Sequence, residues 1–130
     1  MSVVNRHGFA HIYATTVNGA RRIWNVERLW KLAHALEPEL VEVESLSGID
    51  ENIWFTHQEP TLREVVVHAK KIRDADMSYP IILDADGSIM DGAHRLANAL
   101  LRGIGHVQVV RFKVQPDPDV IERTVSSEPD

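Results

Sequence analysis

The chain contains no cysteine, which removes disulfide frameworks, thiolate metal sites and thiol catalysis from consideration. Positive charge is also scarce: 14 Lys and Arg stand against 19 Asp and Glu, a net charge of −5 with histidines neutral. A general nucleic-acid surface needs a basic stripe, so DNA is not an expected partner of this chain by itself, although a local basic pocket stays open to it. No apolar run is long enough to span a bilayer, and residues 1–8 lack the apolar core of a signal peptide. The expectation is a cytoplasmic protein with no membrane partner. What is present suits one compact domain: 130 residues, 44% of them hydrophobic. Self-association as a homodimer is left open by the composition.

Local patterns supply the elements. Two runs rich in β-branched and aromatic residues, His11 to Val17 and Ala20 to Trp24, flank Asn18-Gly19; an Asn-Gly pair in that position predicts a hairpin. Asn25 can then cap a helix over Val26 to Leu36, with Val26, Leu29, Trp30, Ala33 and Leu36 as its buried stripe and His34 packed on Trp30. Pro38 stops it. Leu40 to Leu46 alternates as a half-buried strand. The loop from Ser47 to Pro60 holds Ile53, Trp54 and Phe55, which are expected to pack down. Thr61 and Glu64 form a capping box for a helix to about Arg73, with Leu62, Val65, Val66, Ala69 and Ile72 as its buried stripe. Short apolar runs, Pro80 to Leu83 and Ser88 to Met90, flank Asp84-Ala85-Asp86-Gly87 and predict a second hairpin. A helix from Gly92 to Arg102 comes next, ended by Gly103. His106 to Val114 carries apolar residues on both faces and reads as a central strand. Pro116 to Asp130 is acidic and reads as a surface arm, with a helical turn over Val120 to Arg123. The fold class is α+β, a small mixed sheet packed by helices. Its parts are an N-terminal hairpin and helix over 1–39, a core over 40–114 and an acidic C-terminal arm over 115–130.

One stretch asks for a chemical reason. The helix after the second hairpin opens with Asp91-Gly92-Ala93-His94-Arg95. A helix start has unpaired N–H groups and partial positive charge, a ready site for an anion. Gly92 has no Cβ and permits close approach. Arg95 offers a planar fork that matches a phosphate. His94 adds a donor and can carry a proton near neutral pH. Asp91 has two readings. It either caps the helix, occupying the N–H groups a phosphate would want, or turns away and holds Mg²⁺ that bridges to the phosphate. Glu51, beside Asp50, is either a general base or part of a solvated acidic loop, the commoner outcome. Among the other histidines, His57 and His68 have no metal-ligand spacing. Of Trp24, Trp30 and Trp54, at least two are expected in the core rather than on a stacking platform.

The segment "YPIILDADGSIMDGAHRLANALLRGIGHVQVVRF" resembles the core of the ParB/sulfiredoxin superfamily, the ParB-like N-terminal or nuclease domain. Strand, glycine turn, strand, the Gly-x-His-Arg word, Ala-rich helix, glycine and strand occur in that order. The "VEVESL" run and the Thr61 helix fall where that family has its first strand and helix, so the likeness covers about residues 40–114. It implies a nucleotide phosphate bound by Gly92, Ala93, His94 and Arg95. Sulfiredoxins carry their catalytic cysteine at the position of Ala93, so sulfiredoxin chemistry is excluded. ParB proteins carry there a glutamate tied to CTP hydrolysis. The free-serine kinases of the superfamily carry Asp-Gly-His-His-Arg, matched here except at Ala93, and place a glutamate base near the position of Glu51.

The residues and the resemblance together support two functions from different classes. The first is a nucleotide-dependent phosphotransferase or nucleotide hydrolase using ATP, ADP or CTP. Mg²⁺ would sit on Asp91, with Glu51 or His94 moving the proton. The second is a non-catalytic, ligand-gated binding module for a nucleotide or another phosphate-bearing small molecule, favoured by the inert Ala93. A partitioning or nuclease role ranks below both, since the chain has no length for a separate DNA-binding domain.

Overall fold

Asn18 and Gly19 both adopt positive φ, 52° and 76°, the backbone a two-residue hairpin turn needs. They join β1 (Ile12–Val17) to β2 (Ala20–Asn25), which pair antiparallel with Val17 opposite Ala20. The computed structural model describes residues 7–56 and 58–123, and these divide into two compact units, residues 7–35 with 115–123 and residues 36–114.

In the first unit Asn25 accepts from the Glu27 amide at 3.2 Å and caps α1 (Val26–Ala33). The helix ends at Ala33, short of the expected Leu36, and buries Val26, Leu29 and Ala33. Trp30 does not join that stripe. It is 41% exposed and its ring lies 6.1 Å from His11. Residues 120–123 form a strand in place of the expected helical turn. β7 (Val120–Arg123) adds antiparallel to β2 as the third strand of the order β1-β2-β7. The acidic tail segment has cationic partners here. Asp119 takes the Arg28 guanidinium at 2.8 Å and the Asn25 amide at 2.7 Å, and Glu122 lies 3.3 Å from Arg21 and from His7. Trp24 donates its indole N–H to the Pro116 carbonyl at 2.8 Å.

The second unit is a four-stranded mixed sheet, ordered β3-β6-β4-β5. β3 (Glu39–Glu42) is antiparallel to β6 (His106–Arg111), β4 (Ile81–Leu83) runs parallel to β6, and β5 (Ile89–Asp91) returns antiparallel on β4. The parallel step from β4 to β6 is made by β5 and then α3 (Ala93–Leu101). As expected, β6 is central and buried, with Val107, Val109 and Val110 inside. It ends at Arg111, and Val114 beyond it is 81% exposed. β3 is shorter than the alternation from Leu40 to Leu46 predicts. It stops at Glu42 and tightens into a 3₁₀ turn over Val43–Ser45, which drops Val43 and Leu46 into the core with Ile81, Leu83, Leu96, Ala99 and Val109.

The capping box of α2 (Leu62–Arg73) is present as read: Thr61 accepts from the Glu64 amide, and Glu64 reaches back to the Thr61 amide. Its stripe is not buried. No residue of α2 is buried; Leu62 is 82% exposed, and Val65, Val66 and Val67 lie between 43% and 46%. The helix is held chiefly near its end. The buried Asn98 of α3 donates to the Ile72 carbonyl at 2.8 Å, satisfying one of the carbonyls every helix leaves unpaired at its C-terminus.

The second hairpin is organised by Asp84. Its Oδ1 accepts from the amides of Asp86 and Ser88, both at 2.9 Å, and Gly87 supplies the positive φ of 91°. The carboxylate is buried, so its loss strands two amides together. Asp84→Ala is expected to destabilise the fold by about 1–3 kcal/mol or more, read as a fall in the urea midpoint at unchanged m-value.

Candidate functional site

β5 turns into α3 through Gly92, whose φ of 103° lies in the left-handed region. A Cβ added there would stand 3.1 Å from the Ile81 Cα and 3.1 Å from Arg95 Nη1, so both conformation and space call for glycine. Gly92 is the N-cap of α3, and no side chain caps that end. The N-cap position thus falls on Gly92 and not on Asp91. Asp91 is the last residue of β5, opposite Ile82, and a left-handed residue separates it from the helix. Its Oδ2 lies 3.6 Å from Arg95 Nη1.

His94 and Arg95 leave the first turn in different directions. Arg95 Nη1 donates to the Pro80 carbonyl at 3.0 Å, and its guanidinium carbon sits 5.6 Å from the centre of the Tyr79 ring. It lines a cleft of about 230 Å³ together with Tyr79, Ile81, His106 and Gln108. His94 instead meets α2: its Nε2 lies 2.8 Å from His68 Nδ1. Trp54 covers both imidazoles, its ring 4.5 Å from each and within 17° of parallel. Phe55 presents an edge to His68 at 5.2 Å. Trp54 and Phe55 thus pack down as expected, but onto histidines. Only Trp24 of the three tryptophans is a core residue, fewer than the two expected.

The hydrogen bond between two imidazoles needs one donor and one acceptor, so at least one ring is neutral. Burial pushes His94 down to about 4, aided by the nearby His68 and Lys71 and opposed by Asp91. His68 is lowered by burial and then Lys71, against Glu64. The expectation that His94 carries a proton near neutral pH is therefore corrected: desolvation keeps it neutral there.

The remaining sequence candidates are dispersed. Ala93 opens α3 and brings no reactive group. Glu51 is exposed, its amide donating to the Gly48 carbonyl at 3.2 Å. Among the described residues its carboxylate makes no hydrogen bond or ion pair with residues 91–95. Asp50 is also exposed. His57 lies outside the described residues. Among those described, no three His, Asp or Glu side chains are grouped so as to hold a metal. Sequence reasoning missed His68 and Trp54 as members of the site. The half-polar position of His68 on an otherwise apolar helical face was the one available signal.

No family model matches the chain, and no curated protein matches it. Among solved structures, it is similar to a crystal form of a Pnob8-like ParB-N domain, at 23% identity and a TM-score of 0.38 over 59% of this chain. The chain spans about 30% of that structure's length. A likeness of that size carries no argument about fold or activity, and the α+β architecture stands on the elements described above. Among the described residues, no helix is long and apolar enough to cross a membrane.

The depressed His94 value has a sign for stability. Between about 4 and its ordinary 6.5, the unfolded chain binds a proton that the native state does not, so stability is full above that window and is lost as pH falls through it. The urea midpoint is expected to drop from pH 7 to pH 5, and His94→Gln should flatten the drop. An imidazole proton NMR titration that places His94 near 6.5 would refute the assignment.

Proposed function

We propose that the Gly92–Arg95 turn binds the phosphate of a nucleotide, or of another phosphate-bearing small molecule, as a ligand-gated binding module. The observation that carries this is the start of α3, where the N-cap is Gly92, which brings no side chain to the first turn, with Arg95 one turn on and 3.6 Å from Asp91. The first-turn amides lie beside a residue with no Cβ, the arrangement a phosphate can use. Charge-assisted hydrogen bonds of this kind contribute about 1.5–3 kcal/mol each, and the helix terminus adds roughly 0.3–1 kcal/mol.

Nucleotide and Mg²⁺ fit the residues unequally. The turn supplies amides, and Arg95 supplies a fork one helical turn from Asp91. For Mg²⁺ this chain would offer the Asp91 carboxylate, a single hard oxygen donor of the kind the ion takes. A metal on Asp91 also competes with its ion pair to Arg95 and frees the guanidinium for phosphate. Ala93 offers no reactive atom, His94 is engaged with His68, and the Glu51 carboxylate makes no hydrogen bond or ion pair with the turn among the described residues. Binding is therefore favoured over the phosphotransferase or hydrolase reading.

Calorimetry with ATP, ADP and CTP, with and without Mg²⁺, alongside a phosphate-release assay, tests this. Binding without turnover is expected, stronger with Mg²⁺. Arg95→Ala should weaken it at least about tenfold, the loss of one charged contact. Asp91→Ala should abolish the Mg²⁺ dependence. Turnover would restore the enzyme reading, and no binding of any nucleotide under any of these conditions would sink the proposal.

A further inference from the structure

Apart from the phosphate turn, the same helix start contributes to a second constellation. His68 from α2 and His94 from α3 point a ring nitrogen each at one another, Nδ1 to Nε2, across 2.8 Å. The rings lie 5.1 Å apart and 15° from parallel. Trp54 lies over both and Phe55 closes the edge of His68. Two imidazole nitrogens converging within an aromatic wall are a donor set for a borderline metal ion, not for a hard one.

We infer that His68 Nδ1 and His94 Nε2 form a two-histidine chelate for a borderline divalent transition ion such as Zn²⁺, Ni²⁺ or Cu²⁺, with water in the remaining positions. Metal–nitrogen bonds of about 2.0–2.1 Å at a tetrahedral angle set the nitrogens roughly 3.3 Å apart. The pair must therefore open by about half an ångström, and each ring must tilt so that its lone pair meets the ion instead of the other nitrogen. α2 can give that distance, because none of its residues is fully buried. With each ring in its neutral form, the ion meets no competing proton. The one N–H proton now between the rings moves to the outer nitrogen of its own ring, and no net proton is released. Of the charged groups acting on the pair, Glu64 and Asp91 favour a cation and Lys71 opposes it. Asp91 faces His94 from the end of β5, so the site keeps one carboxylate nearby even though no third protein ligand completes it among the described residues.

The chelate is independent of the phosphate reading, since it uses no nucleotide and no Mg²⁺. The test is a calorimetric titration of the full chain with Zn²⁺ alone. One ion per chain is expected, with affinity reduced at least about tenfold in His68→Gln and in His94→Gln and kept in His34→Gln, a position exposed on the other unit. Cu²⁺ or Ni²⁺ should quench tryptophan fluorescence, and Trp54→Phe should remove that quenching while Zn²⁺ still binds. Mg²⁺ should do neither. In the wild-type chain the imidazole ¹⁵N resonances of His68 and His94 should shift together on adding Zn²⁺, which decides the matter even where a variant fails to fold. Absence of a one-to-one event, or one that both glutamine variants leave unchanged, overturns the inference.

Discussion

The site depends on a steric constraint at residue 92. The chain must reverse from β5 into α3 directly beside Ile81 of the neighbouring strand, and a Cβ at that point would stand 3.1 Å from the Ile81 backbone. A left-handed glycine meets both demands. The same turn orients the residues on either side of it. It puts Asp91 one residue before the N-cap, as the last residue of β5. It also starts the helix at Ala93, which sends His94 toward α2 and Arg95 toward Pro80 and Tyr79. Neighbouring residues on a helix point about 100° apart, and here that angle divides one short word into two chemical environments.

The second constraint is the clamp from Asn98 to the Ile72 carbonyl. α2 contributes almost nothing to the core through its side chains, so its position relative to α3 depends on that bond and on the His68–His94 contact one turn earlier. The Asn98 amide is buried, where a hydrogen bond is strengthened by the low local dielectric and costly to leave unmade. A helix held by polar contacts at one face keeps its apolar residues toward solvent. The desolvation of His94 is a consequence of the same packing, since Trp54 and His68 displace water from its ring.

What the sequence revealed divides by range. Both hairpin turns, the Asn25 cap, the Thr61 capping box and the strand–glycine–helix order were legible because each is decided by residues within a few positions of one another. The burial of α2 was not. Periodicity shows that Leu62, Val65, Val66 and Ala69 share a face, but whether another element covers that face is a tertiary outcome. Residues 120–123 fail for a related reason. Their β-branched pair can sit in a turn or a strand, and only the edge of β2 together with Arg21 and Arg28 decides for a strand. The histidine pair spans 26 positions, with nothing local to announce it. At the site itself the glycine was legible, whereas the N-cap falling on Gly92 depends on a left-handed φ that the residue types alone do not fix.

Neutral imidazoles and an uncapped helix start are linked electrostatically. A protonated His94 would add a full charge beside the positive end of α3 and beside Lys71, which burial and those neighbours already disfavour. Keeping it neutral leaves the partial charge of the helix end as the local attraction for an anion, with Arg95 drawn off to Asp91 until something displaces it. Asp91 therefore mediates between the two faces of the turn: its negative charge restrains Arg95 on one side and favours a cation near His94 on the other. A change of charge at Asp91 is therefore felt on both faces of the turn.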